Sequence, residues 1–101
     1  IKTWDKIPKN IKEDIKYPIY EYVKILFLAK SISKELDINQ QELVADYIQY
    51  SWWNQTKIKV IADLIEAIKI NIKDNIQPRL AWEVGLMKSA QILKKNKSSI
   101  D

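Results

Sequence analysis

A chain of 101 residues with 47% apolar content is long enough to form one domain with a modest core of its own. The absence of cysteine excludes disulfides and thiol chemistry, and the absence of histidine excludes most zinc sites and histidine-based catalysis. The net charge of +4 is scattered along the chain, almost wholly on lysines, so it permits contact with nucleic acid without requiring it.

The composition predicts an all-α domain. One glycine and three prolines leave few breaks, and the abundant Lys, Glu, Ile, Leu and Ala favour long helices. The longest apolar run, residues 25–29, is far shorter than the roughly 18 residues of a membrane span, so we expect a soluble, cytoplasmic protein with no membrane contact. Because the chain begins with Ile1, we expect it to be a fragment of a longer protein.

The first half predicts two helices after a linker end at residues 1–6. Isoleucines at positions 7, 11 and 15 repeat every four residues and indicate a short helix over 7–15. Pro18 has the features of a first-turn proline, because it has no N–H to lose there and its fixed φ suits a helix. The segment 18–36 that follows is apolar on most faces, which is typical of a central helix.

The third helix is predicted over residues 39–53. Asn39, followed three residues later by Glu42, fits the pattern of a capping box. Four aromatic residues lie in or near the second half of this helix, and we assign them to core and interface packing rather than to base stacking, because stacking platforms usually lie on exposed sheets. They are Tyr47, Tyr50, Trp52 and Trp53.

The fourth helix is predicted to follow residues 54–56 and to end near residue 73. Its isoleucines alternate three and four residues apart. Val60 and Ala67 widen this stripe to about half of the cylinder at roughly 100° per residue. Such a width predicts two neighbouring helices rather than one.

The fifth helix is predicted to begin at Pro78 and to end near residue 93, with two apolar stripes. We expect one stripe to face the core, namely Leu80, Val84 and Met87. The other, Trp82, Leu86 and Leu93, needs a second partner, and the small Gly85 and Ser89 beside it would let another helix come close. This second stripe is either a subunit interface, to which we also assign Val60, or is covered inside the bundle.

The segment 75–83 holds the turn before the fifth helix. Asp74 and Asn75 close the preceding helix, and Arg79 is the only arginine beside sixteen lysines. Its planar fork is either needed as a donor to nearby carbonyl or carboxylate groups or is present by chance. The tail 94–101 has no apolar periodicity, so we expect it to fray or to contact a polyanion weakly.

The candidate contacts to phosphate are lysines near the two ends of the chain. They are Lys9, Lys12, Lys16, Lys94 and Lys95, and the alternative for them is an ordinary solvated face.

The sequence contains no recognisable active site. A single glycine cannot form a phosphate-binding loop, and no histidine completes a metal or acid–base motif. A helix-turn-helix is not favoured either, because the segment between the third and fourth helices lacks the usual glycine. We therefore expect no catalytic, cofactor or metal residues and no small-molecule substrate.

The second half of the chain resembles a known family. The pattern Asn75-x-x-Pro78-Arg79-Leu80-Ala81-x-Glu83, preceded by a helix containing Glu66-Ala67, is similar to the C-terminal domain of the bacterial DNA polymerase III delta-prime subunit. The pieces Asp46-Tyr47-Ile48-Gln49 and Trp52-Trp53 resemble its cyanobacterial members. The gamma/tau subunit carries a similar start to its last helix, so that subunit is the alternative.

This resemblance implies a five-helix bundle of the clamp-loader collar type. In the family, such domains join the subunits into a pentameric ring that loads the sliding clamp during DNA replication, while ATP binding belongs to other modules. The expected partners are the gamma/tau and delta subunits, with primer-template DNA contacted indirectly or weakly, and Trp82 is the candidate interface anchor. A small basic helical module that binds nucleic acid is the alternative of another class.

Overall fold

The structure, a computed structural model, describes the backbone of residues 2–74 and 77–100, and side chains over 4–74 and 77–96. The all-α prediction is confirmed. Within the described residues the chain forms six helices in the following order: α1 (Lys2–Asp5), α2 (Lys9–Asp14), α3 (Tyr22–Glu35), α4 (Ile38–Thr56), α5 (Lys59–Lys73) and α6 (Pro78–Ile100).

The predicted first helix corresponds to α2, and the predicted linker end contains the additional short helix α1. The last helix continues to Ile100, seven residues beyond its predicted end, although fraying of this end in solution stays a prediction.

The predicted helix start at Pro18 is wrong. Helix α3 begins at Tyr22, and its N-cap Glu21 has extended backbone. The fixed φ of proline also suits extended chain, so Pro18 alone does not identify a helix start. Leaving the helical path lets Ile19 reach the core, where it is only 8% exposed.

The predicted capping box at Asn39 and Glu42 is also wrong, by two residues. Asp37 is the N-cap of α4: its Oδ1 accepts a hydrogen bond from the Gln40 backbone N–H at 2.8 Å, and Gln40 Oε1 accepts from the Asp37 N–H at 2.9 Å. Both pairs have cap-type residues at the required spacing, and the earlier pair forms because α3 already ends at Glu35.

The helices pack as an antiparallel series around one core. Helix α5 packs against both α4 and α6, as the width of its apolar stripe predicted, and α3 packs against the other side of α6. Helices α1 and α2 contact α4 and α3, respectively. The core is dominated by isoleucine, and Trp52 and Trp82 are its two largest fully buried side chains.

A buried polar relay joins three of these helices. Trp82 of α6 donates its Nε1–H to Gln41 Oε1 of α4 at 3.1 Å, and Gln41 Nε2 donates to the Leu36 carbonyl, at the end of α3, at 3.0 Å. Trp82 is fully buried and Gln41 is 2% exposed. A buried polar group that loses its partner costs about 1–3 kcal/mol of folding free energy. Removing one member of the relay should therefore destabilise the fold.

Helix α5 approaches α6 closely at Gly85. A methyl group on its Cα would overlap Cγ1 and Cδ1 of Ile68, whose side chain is itself buried. Helix α6 therefore uses glycine at this position for close packing, which offsets the weak helix propensity of this residue.

Ion pairs supplement the contact between α4 and α5. Lys69 Nζ lies 2.6 Å from Asp46 Oδ1 and 3.5 Å from Glu66 Oε1, and its side chain is only 18% exposed. The hydrogen bond to Asp46 raises the pKa of Lys69 above its ordinary value of 10.5, against the opposing effect of burial. The pair of Lys73 and Glu42, at 3.0 Å, extends this contact.

Replacing Trp82 by phenylalanine should destabilise the fold. Trp82→Phe removes the indole donor, leaves Gln41 Oε1 buried without it and creates a small cavity, so we expect a loss of about 2–4 kcal/mol in the free energy of unfolding. Urea denaturation measures this. Trp53→Phe, at a position 38% exposed, is the control and should change stability by less than about 0.5 kcal/mol. Equal effects of the two substitutions would contradict the role of the relay.

Gly85→Ala should destabilise the protein by about 1 kcal/mol, because the overlap with Ile68 outweighs the gain in helix propensity. In an Ile68→Ala background the space is open, so the same substitution should become stabilising. A double-mutant cycle by urea denaturation checks this reversal of sign. A stabilising Gly85→Ala in the wild-type background would show that the close approach is not required.

The ion pair of Lys69 predicts a pH dependence at the alkaline end. Since the folded-state pKa is raised, the stabilisation is fully present below about pH 10.5 and is lost as the pH rises through the folded-state pKa. The difference in unfolding free energy between wild type and Lys69→Met should therefore shrink above about pH 10.5. Lys59→Met is the control, because Lys59 pairs with Asp63 at an exposed site. Its unfolding free energy should differ from that of the wild type by less than that of Lys69→Met does.

Candidate subunit interface

The residues predicted to form the interface on α6 are buried inside the chain itself. Trp82 is 0% exposed, and Gly85, Leu86, Ser89 and Leu93 are also buried. Ser89 donates its hydroxyl to the Gly85 carbonyl at 3.1 Å within the helix. The expected exposure of this stripe is therefore wrong, and the alternative, that the bundle covers it, is confirmed.

The small residues of α6 are one determinant of its rotation. Ala81, Gly85 and Ser89 are spaced four apart and form a flat strip that admits α5, so the stripe beside them is drawn into the core. Leu80 and Val84, which were predicted to point inward, are instead 49% and 42% exposed. Apolar periodicity alone could not choose between the two stripes. The close approach predicted at Gly85 occurs, but the approaching helix is α5 of the same chain.

Five apolar residues of α5 and α6 that are not fully buried lie on one surface, which we call the α5–α6 face and define as Val60, Leu64, Ala67, Leu80 and Val84. Leu64, Ala67 and Val84 line one shallow groove of about 80 Å³ between the two helices. Val60 is 51% exposed and lies on the same side of α5 as Leu64 and Ala67 by helical spacing. Of the residues predicted for the interface, Val60 alone keeps a solvent-exposed position.

The start of α6 agrees with the prediction. Pro78 is the first residue of α6, and the Gln77 carbonyl accepts the first helical hydrogen bond from the Ala81 N–H at 3.0 Å. Arg79 donates its Nε–H to Glu83 Oε2 at 3.0 Å, which is a contact within α6 and does not tie this helix to a neighbour, so the predicted tying role of Arg79 stays a prediction. Asn75 lies outside the described residues.

The lysines proposed for phosphate contact lie on two separate helices. Lys9 and Lys12 belong to α2, with Lys16 just beyond its end, whereas Lys94 and Lys95 belong to α6. Two of them rest over aromatic rings: Lys12 Nζ lies 5.3 Å from the centroid of Trp4, and Lys94 Nζ lies 4.4 Å from that of Tyr22. Their contact with DNA stays a prediction.

Residues of the segments 46–49 and 52–53, on which part of the family resemblance rests, hold α4 to its neighbours. Asp46 pairs with Lys69, and Gln49 Nε2 donates to the Ala62 carbonyl of α5 at 2.9 Å. Trp52 donates its Nε1–H to the Ile15 carbonyl, after the end of α2, at 3.0 Å. These side chains act within the fold, so they position the helices rather than provide an interface.

The sequence analysis missed Gln41. It occurs in an apolar stripe with Val44, Ala45 and Ile48, and a glutamine at such a position was the available signal.

Over the described side chains, no cluster of three or more Asp, Glu, His or Cys residues is arranged to hold a metal ion. None of the described helices combines the length and the hydrophobicity that a bilayer crossing requires.

Comparison with known proteins identifies the family. A family model described as the C-terminal domain of cyanobacterial DNA polymerase III delta prime matches residues 1–89. No curated protein and no solved structure matches the chain. The matched segment contains α1 to α5 and the first half of α6, including the small-residue strip and the buried Trp82. The chain therefore belongs to the cyanobacterial DNA polymerase III delta-prime C-terminal domain family.

Proposed function

We propose that this domain is a non-catalytic collar element that holds its delta-prime subunit in the clamp loader by binding sibling subunits through the α5–α6 face. Membership of the delta-prime family supports a clamp-loader role. The exposed apolar groove between α5 and α6 is the observation that carries the assignment to this face. The gamma/tau and delta subunits are the proposed partners.

The energetics favour a contribution from this face to a larger contact. Val60, Leu80 and Val84 are each about half exposed, and full burial of an aliphatic side chain contributes about 1.5–3 kcal/mol. Because only about half of each side chain remains to be buried, the three together contribute about 2–4.5 kcal/mol, which does not offset an association cost of about 4–15 kcal/mol. The proposed interface therefore includes polar residues around the groove, among them Lys88 and Asn71, which line it.

The groove also suits helix packing. Ala67, Ala81 and Gly85 keep its floor low, so a helix of a sibling subunit can approach the α5–α6 face without displacing large side chains. Leu64 on one side and Val84 on the other supply its apolar walls, and Val60 lies on the same side of α5 as Leu64 by helical spacing. In this proposal the small residues of α6 take part in two contacts, one with α5 of the same chain and one with a helix of a sibling subunit.

Charged substitutions on the face should weaken assembly while the fold survives. We expect Val60→Asp and Val84→Asp each to reduce the affinity for a mixture of gamma/tau and delta subunits by about tenfold, or about 1.4 kcal/mol, because a carboxylate would be desolvated in the contact. Light scattering after gel filtration measures the complex. Ile70→Asp is a matched control: Ile70 is 52% exposed on the same helix, against 51% for Val60, but points about 80° away from it.

Equal assembly of wild type, Val60→Asp and Val84→Asp would contradict the α5–α6 face as the interface. Failure of the wild-type domain to join the sibling subunits would contradict the collar role itself. Thermal melts of each variant by circular dichroism establish that a lost complex is not a lost fold.

A further inference from the structure

A second surface lies between α2 and α3, where the chain leaves the helical path. It forms a groove of about 380 Å³, which we call the corner groove and define by its aromatic and acidic residues. They are Glu13, Asp14, Tyr17, Tyr20, Glu21 and Phe27.

The corner groove is held in shape by the core and by α4. Ile15 and Ile19 are buried on either side of its loop. The backbone between them is anchored by two side chains of α4: Trp52 donates to the Ile15 carbonyl at 3.0 Å, and Gln55 donates to the Lys16 carbonyl at 2.9 Å. A ligand would therefore meet a largely preformed site, which lowers the ordering cost of binding.

The aromatic walls of the groove take little part in the core. Tyr17 is 65% exposed and Phe27 is 67% exposed, and they are among the most exposed large apolar side chains of the domain. Aromatic rings bury a large area on binding and lose little side-chain entropy, which is why they are common binding anchors. The volume is within the range of about 300–1,000 Å³ of ligand pockets and is suited to a few side chains rather than to a whole domain face.

The charge of the groove is opposite to that of the chain. Its lining carries three carboxylates, Glu13, Asp14 and Glu21, against one ammonium, Lys24, which lies 3.6 Å from Glu21; the lining therefore sums to −2, from −3 and +1. The whole chain carries +4. At physiological salt the Debye length is about 8 Å, so a ligand that contacts the lining interacts more strongly with these charges than with those on the rest of the chain. The carboxylates disfavour nucleic-acid phosphate and favour cations.

From this complementarity we infer that the corner groove binds a short segment of a partner protein in which an apolar side chain is flanked by lysine or arginine. The apolar side chain occupies the space between Tyr17 and Phe27, and the flanking cations face Glu13, Asp14 and Glu21. Their alkyl stems can also lie along the aromatic rings. This inference is independent of the proposed function, because the groove shares no residue with the α5–α6 face.

The test uses three fluorescein-labelled nine-residue peptides with the 101-residue chain in fluorescence anisotropy. The first has two central leucines flanked by lysines, the second has glutamate in place of lysine, and the third has serine in place of leucine. We expect saturable binding of the first peptide, weakening with salt, and binding of the other two at least about tenfold weaker. Phe27→Ser should weaken the first peptide by about tenfold, and combined Glu13→Gln and Asp14→Asn should reduce its salt dependence.

Tyr50→Ser is the matched control, because Tyr50 is an exposed aromatic residue, 71% exposed, on α4 outside the groove. It should leave peptide binding unchanged. Saturable binding that requires lysine, leucine and Phe27 supports the inference. The inference is overturned if the lysine–leucine peptide does not bind at about 50 mM salt, if the glutamate peptide binds equally, or if Phe27→Ser has no effect.

Two other occupants give distinct results. Concentration-dependent self-association of the chain that Phe27→Ser abolishes would assign the groove to a second copy. Loss of assembly with the gamma/tau and delta subunits in Phe27→Ser, without peptide binding by the wild type, would assign it to a sibling subunit. Either result overturns the peptide inference, and the second leaves the collar role intact, so the two proposals fail separately.

Discussion

The arrangement of the bundle depends on the hydrogen-bond requirements of one buried glutamine. Gln41 accepts from the indole of Trp82 and donates to the carbonyl of Leu36, so one side chain joins α4 to α6 and to the end of α3. Apolar contacts tolerate small rotations of a helix, whereas a buried donor at 3.1 Å from its acceptor does not. The relay therefore selects one rotation of α6 among those that apolar packing would allow.

That rotation determines which surfaces the domain can offer. With Trp82 inside and the strip of small residues against α5, Leu80 and Val84 remain at the surface beside Leu64 and Ala67. The same residues that permit the close internal contact at Gly85 keep the external groove shallow. Internal packing and the proposed assembly face are thus two consequences of a single helix orientation.

The two candidate surfaces differ in chemistry. The α5–α6 face is apolar and shallow, which suits a helix of another subunit, whereas the corner groove combines exposed aromatic rings with carboxylates. The irregular segment around Pro18 creates the second surface, because it turns Tyr17 outward while Ile15 and Ile19 enter the core.

The sequence by itself determined the all-α class, the start of α6 at Pro78, the two neighbours of α5 and the family, because scarce glycine and proline, apolar periodicity and a local motif are properties of short segments. It did not determine the capping pair of α4, since Asp37 and Asn39 both suit the position, or the end of α6. Only the tertiary structure decided which stripe of α6 is buried, because both stripes are apolar and the choice depends on Gln41 and Ile68, which lie on other helices.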